Sequence, residues 1–278
     1  MSDNIRYVRQ LSPESAGEAP GRGRLQGRKI LVVGGGQQTF DAATDPVGNG
    51  RAMSLLFARE GAHIAVADMN RASADDTVQR ITAEGGKAFS IAADIAREKD
   101  VSRMVGEAVE GLGGIDGMVL NVGIGLGKLG LGGVDLQEWN DTFAANLTGP
   151  MLCCREALKH VDEGGSIVFI SSIAALRTGS RLIAYDASKA ALAGLMRNVA
   201  KEGARRGIRA NTICPGLVDT PLGRHASAGR PSRTASGIPF GRMATGWEVA
   251  YAALFFISDE SVYVNAQTLA VDSGISGL

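Results

Sequence analysis

Seven short apolar runs, each set apart from the next by a longer stretch of helical patterning, constrain this chain more than any other feature. The runs span 30–33, 64–67, 88–92, 117–121, 166–171, 208–213 and 268–271. The helical stretches span 51–59, 71–83, 100–112, 136–160, 184–206 and 247–258. Strands that are apolar throughout must be covered on both faces, and a helix between consecutive strands brings each new strand back parallel to the last. The expected fold is therefore α/β: one doubly wound parallel sheet of about seven strands, flanked by helices. Residues 1–27 are polar and rich in Gly, Pro, Ser and Arg. They read as a flexible N-terminal extension, or as an arm laid over the surface, ahead of a single domain at 28–278.

Composition serves mainly to exclude. The chain carries 29 basic and 29 acidic residues, so no basic surplus invites nucleic acid or an anionic membrane. No apolar run is long enough to span a bilayer, and the N-terminus lacks the apolar core of a secretory signal. A cytoplasmic location is expected. Cys153, Cys154 and Cys214 have no framework spacing, and the adjacent pair reads as core packing. No metal site is expected.

The first strand runs into Gly34, Gly35 and Gly36, and the next helix opens at Gly48, Asn49 and Gly50. A glycine-rich turn between first strand and first helix lets the backbone approach a pyrophosphate, with the helix N-terminus supplying free N–H groups. The second strand ends on Asp68, where a carboxylate can accept hydrogen bonds from ribose hydroxyls and repel the extra phosphate of NADP. Arg71 is the one nearby feature on the NADP side. The reading is Rossmann-like, with NAD favoured over NADP. Asp94 and Ile95 close the third strand, and Asn121 to Gly123 the fourth; both lie where ligands bind in open α/β sheets.

Five further segments carry a resemblance. Tyr185-Asp186-Ala187-Ser188-Lys189 forms a YxxxK motif, and Ser172 stands thirteen positions before the tyrosine. Asn146 lies in Phe143–Leu147, Pro215-Gly216 is followed by Val218 and Thr220, and the end reads QTLAVDSG. In order and spacing this resembles the short-chain dehydrogenase/reductase family over about residues 28–274, in its classical type, with likeness to 3-oxoacyl-carrier-protein reductases and glucose dehydrogenases. The resemblance implies hydride transfer between a nicotinamide and a small-molecule alcohol or ketone. It implies Tyr185 as general acid/base, Ser172 on the substrate oxygen, and Asn146 holding a relay water. Lys189 would hold the nicotinamide ribose with Tyr185 beside it, and Pro215, Gly216, Val218 and Thr220 would cover the nicotinamide. A homotetramer is also implied.

The residue types suit that chemistry. A free phenol ionises near pH 10, too high for a base at neutral pH, and Lys189 one turn along falls on the same helix face. Its ammonium favours the phenolate. A serine hydroxyl stabilises charge developing on the substrate oxygen.

The sequence departs from the family at the phosphate loop. Fourteen positions separate Gly34 from Gly48 where the family has four, an insertion of about ten residues. It reads either as an outward surface excursion or as a lid over the adenosine or part of a subunit contact. The departure leaves a catalytically silent, NAD-binding regulatory protein as the alternative, against which the intact set of Asn146, Ser172, Tyr185 and Lys189 stands. The segment after Gly216 carries Arg224, His225, Arg230, Arg233 and Arg242, either a solvated mobile loop or a basic lid for an acidic substrate. Gly123–Gly133 is expected to line the mouth of the site.

Overall fold

A computed structural model describes residues 10–178, 180–228 and 237–277. The strands are β1 (Lys29–Val33), β2 (His63–Asp68), β3 (Lys87–Ala92), β4 (Ile115–Leu120), β5 (Val161–Ile170), β6 (Arg209–Pro215) and, after two short ones, β9 (Thr268–Val271). They form one parallel sheet in the order β3-β2-β1-β4-β5-β6-β9. The order reverses between β1 and β4, so loops leaving those neighbours diverge and open a crevice at their carboxyl ends.

The helices pack on both faces: α2 (Asn49–Arg59), α3 (Arg71–Ala83) and α9 (Gly246–Ile257) on one, α4 (Glu98–Leu112), α6 (Gly149–Ala157) and α7 (Ile183–Gly203) on the other. Strand alternation feeds both layers. Ile30 and Val32 point into one core while Leu31 and Val33 point into the other. Cys153 and Cys154 sit in the second core, and burial pushes the Cys153 thiol up to about 12.

The single helix expected over 136–160 is three pieces. α5 (Leu136–Phe143) passes through a π-helical turn at Ala144–Thr148 into α6, and 158–160 lie beyond its end. Two short strands, β7 (Val218–Asp219) and β8 (Ala244–Thr245), pair in parallel outside the main sheet; two residues each carry no readable period. Between them α8 (Pro221–Ser227) opens on a Thr220 cap.

Residues 10–27 form an arm laid over the surface, not a loose extension. α1 (Pro13–Ala16) leads to Leu25, which is fully buried. The Glu60 carboxylate, 0% exposed, accepts the N–H groups of Arg22 at 2.8 Å and Arg24 at 3.0 Å, and the Arg24 guanidinium at 2.5 Å. Burial alone would raise its pKa, but these donors outweigh it and hold the carboxyl below its ordinary value. At the arm's start Thr245 donates to the Ser15 carbonyl at 2.7 Å and Ser15 to Glu248 at 2.9 Å, tying it to the head of α9.

Candidate active site

Lys189 is the centre of the site. It lies on α7, one turn beyond Tyr185, and its side chain folds inward to 3% exposure. The ammonium donates to the carbonyls of Val122 at 3.1 Å and Ile170 at 3.0 Å, at the ends of β4 and β5. Burial pulls its pKa down to about 8. It stands 5.9 Å from the centre of the half-buried Tyr185 ring. A side chain at Gly123 would come within 2.8 Å of the ammonium, so glycine there leaves the lysine its present path.

Asn146 occupies the middle of the π-helical turn and is 0% exposed. The widened turn is a common feature of functional sites. Its amide accepts the Ile124 N–H at 2.8 Å and donates to the Ile124 carbonyl at 2.8 Å and the Ser188 hydroxyl at 3.0 Å. One side chain thereby fixes the loop after β4 to α7. Ser171 adds a second tie, donating to the Lys189 carbonyl at 2.8 Å. Ser172, next along, caps a short 3-10 turn at Ile173–Ala175 by accepting the Ala174 N–H at 3.1 Å. That bond uses a lone pair and leaves the hydroxyl hydrogen to donate elsewhere.

At the other end of the crevice, Gly34 turns with φ +78° and its carbonyl accepts the Asn121 amide at 2.9 Å. A Cβ on Gly50 would stand 1.9 Å from that carbonyl oxygen, so the head of α2 closes onto the loop only because Gly50 lacks one. Gly48 precedes α2 as its cap, and Asn49 leaves its buried Oδ1 without a hydrogen-bond partner. Asp68 accepts the N–H of Gly36 at 3.1 Å with one oxygen and that of Asn70 at 2.9 Å with the other. Each oxygen keeps a second lone pair for a ligand. Arg71 is paired with Asp75 at 3.1 Å, and the buried Arg51 with Asp76 at 2.7 Å.

The remaining positions lie along the same rim with different engagements. Asp94 serves its own turn, accepting from Ala96 at 3.0 Å and Arg97 at 3.3 Å. Ile95 is buried against Gly149. Pro215 ends β6, Gly216 donates to the Val271 carbonyl at 2.9 Å, Val218 opens β7 and Thr220 caps α8.

Among the described residues, two arginines of the basic segment after Gly216 are paired with carboxylates. Arg224 is held by both oxygens of Asp219 at 2.6 and 2.8 Å, and Arg242 by Glu248 at 2.6 and 2.9 Å. Arg230 and Arg233 lie outside the described residues. The sequence did not single out Ser171, Ser188 or the carbonyls of Val122 and Ile170. Ser188 sits inside the YxxxK motif, but its contact with Asn146 spans 42 positions and leaves no local trace.

Known proteins share this outline. The family model described as Enoyl-(Acyl carrier protein) reductase matches residues 43–276, beginning inside the insertion. Glucose 1-dehydrogenase of Gluconobacter oxydans is 32% identical over 264 residues, covering 93% of this chain and 95% of that protein. The 2,5-dichloro-2,5-cyclohexadiene-1,4-diol dehydrogenase of Sphingobium indicum is 34% identical over 260 residues, covering 91% and 99%. Among solved structures, a short-chain dehydrogenase/reductase from Serratia marcescens superposes with a TM-score of 0.82 at 28% identity, covering 91% of this chain and 99% of that one. With its seven-stranded parallel sheet and these relatives, the chain belongs to the short-chain dehydrogenase/reductase family, oxidoreductases that act on CH–OH and carbonyl groups with a nicotinamide cofactor.

Proposed function

We propose that the protein is an NAD(H)-dependent oxidoreductase, interconverting a secondary alcohol and its ketone with Tyr185 as general acid/base. The observation that carries this reading is the buried Lys189 ammonium one turn from Tyr185. A nicotinamide held in this crevice would supply or accept the hydride. Tyr185 removes the hydroxyl proton in oxidation and returns it in reduction, helped by the positive charge of Lys189. Ser172 donates its free hydrogen to the substrate oxygen and steadies charge there. Asn146 and Ser171 hold Lys189 and the loop after β4 at fixed separation.

The crevice suits the cofactor on its own geometry. Gly50 and Gly34 permit the close backbone approach that a pyrophosphate needs, at the N-terminus of the 11-residue α2. Asp68 supports NAD over NADP, because a second phosphate would meet a carboxylate while Arg71 and Arg51 are each committed to an aspartate. Exposed Phe255, Val262, Tyr263 and Leu269 leave apolar surface open to a subunit contact, and sizing in solution would check the homotetramer that the family resemblance implies.

The cofactor reading is tested by titrating the protein with NADH and with NADPH, following nicotinamide fluorescence. Tight NADH and weak NADPH binding is expected. Preference for NADPH would remove Asp68 as the selector, and binding of neither would overturn the enzymatic reading.

A further inference from the structure

The insertion between Gly36 and Gly48 has a construction of its own. Its two ends are joined by Gln37, whose side-chain oxygen accepts the Gly48 N–H at 2.8 Å. The Gln37 backbone is tied to Ser73 beside Asp68: its N–H donates to the serine hydroxyl at 2.5 Å and its carbonyl accepts from it at 2.7 Å. Inside the loop, Asp45 accepts the N–H groups of Phe40 at 2.7 Å and Asp41 at 2.9 Å. Asp41 in turn accepts from Ala43 at 3.0 Å and the Thr44 hydroxyl at 2.7 Å. The loop is held in one shape by its own carboxylates.

That shape does not bulge away from the protein. The Phe40 ring lies flat on the ring of His225 in α8, centres 4.3 Å apart and planes 2° from parallel. Arg224, also in α8, donates to the Thr44 carbonyl at 2.8 Å while its other nitrogens grip Asp219. The insertion therefore stands with its base beside Asp68 and Ser73 and its tip on the helix that comes after Pro215-Gly216. It bridges the two ends of the crevice, and 180 positions of sequence separate the partners in the Arg224–Thr44 bond.

We propose that Phe40 and Arg224 are positioning residues, through which the inserted loop holds α8 closed over the cofactor. Entry and exit of the cofactor then require Phe40 to unstack from His225 and Arg224 to leave Thr44. This rests on the nicotinamide reading above, and it gives the insertion a role in cofactor exchange.

The test is stopped-flow displacement of NADH from the holoenzyme by excess NAD, comparing wild type with Phe40→Ala, Arg224→Met and Phe40→Trp. Phe40 and Arg224 are both about half exposed, so neither truncation opens the core. Release should quicken about tenfold in Phe40→Ala, the size expected for losing one aromatic stack. Association should quicken as well, because a bridge across the mouth obstructs traffic in both directions, whereas a merely weakened site changes release alone. Phe40→Trp restores the stack and should restore slow release. Amide hydrogen exchange in cofactor-free protein gives an independent readout: the N–H groups of Gly223 and Arg224 should exchange faster in Phe40→Ala. Unchanged release and exchange in a folded variant would overturn the proposal and leave the cofactor reading standing. Failure of the wild type itself to bind either nucleotide would overturn both.

Discussion

The two walls of the crevice are held by different physics. On the catalytic wall, Lys189 and Asn146 are buried, and their side-chain hydrogen bonds run to main chain or to a buried hydroxyl. On the phosphate wall, the insertion is held largely by contacts near solvent, its own carboxylates, the Phe40–His225 stack and the Arg224–Thr44 bond, with half-buried ties from Gln37 to Gly48 and Ser73 at its base. A buried polar group left unpaired costs about 1–3 kcal/mol, while an exposed contact is replaced by water for far less. The contacts of the first wall are therefore costly to break. The contacts of the second can be exchanged for water at small cost, as the proposed route of cofactor entry requires.

Four substitutions can break or sharpen this contrast. The largest effect should come from Tyr185→Phe. Turnover should fall about 10²- to 10⁴-fold with the loss of proton transfer. NADH affinity, read by fluorescence, should barely move. A variant keeping most of its turnover would remove Tyr185 from the mechanism.

Lys189 offers a pH signature. Its folded pKa of about 8 lies below the ordinary 10.5, so the folded state releases the proton first. Between those values the unfolded chain binds more protons, and stability rises with pH. The penalty of burying the charge is full below pH about 8 and fades toward about 10.5. Denaturant titrations should show wild type gaining on the order of 3 kcal/mol across that window relative to Lys189→Met. Parallel curves would mean the ammonium is less desolvated than its contacts imply.

A matched pair probes the walls directly. Asn146→Ala leaves the Ile124 N–H and carbonyl without their buried partner and should cost about 3 kcal/mol by chemical denaturation. Asp45→Ala strips the Phe40 and Asp41 N–H groups of their acceptor near solvent and should cost about 1 kcal/mol or less. It should nonetheless speed NADH release, as is expected of Phe40→Ala. Equal costs in the pair would erase the distinction between the walls.

Much of the architecture was legible in the chain. The helix read at 71–83 is α3 (Arg71–Ala83), and the run at 268–271 is β9. Each is bounded by a local signal, an Asn70 cap in the first case and a polar turn in the second. The long helix over 136–160 was less legible. Its pattern continues through Asn146, and only packing of the amide against Ile124 and Ser188 rewards a π-helical turn there. The extension was half legible. Its polar composition suggested looseness, yet Leu25 and the buried Glu60 pin residues 10–27 to the domain. Nothing in the sequence near Glu60 announces that Arg24 will neutralise it.

By itself the sequence determined the features that arise from periodicity and short spacing. Apolar runs between helical stretches specify parallel strands, and the placing of Tyr185 and Lys189 one turn apart specifies a shared face. Tertiary structure alone decided the contacts made across large separations: Asn146 to Ser188, Glu60 to Arg24, Phe40 to His225. Such pairs carry no period, and their energies arise only once the sheet has brought distant loops to one edge. The insertion is the clearest instance. In the sequence it is an insertion of about ten residues; in the fold it joins the two ends of the crevice, because the switch between β1 and β4 sets its base and α8 beside the same opening.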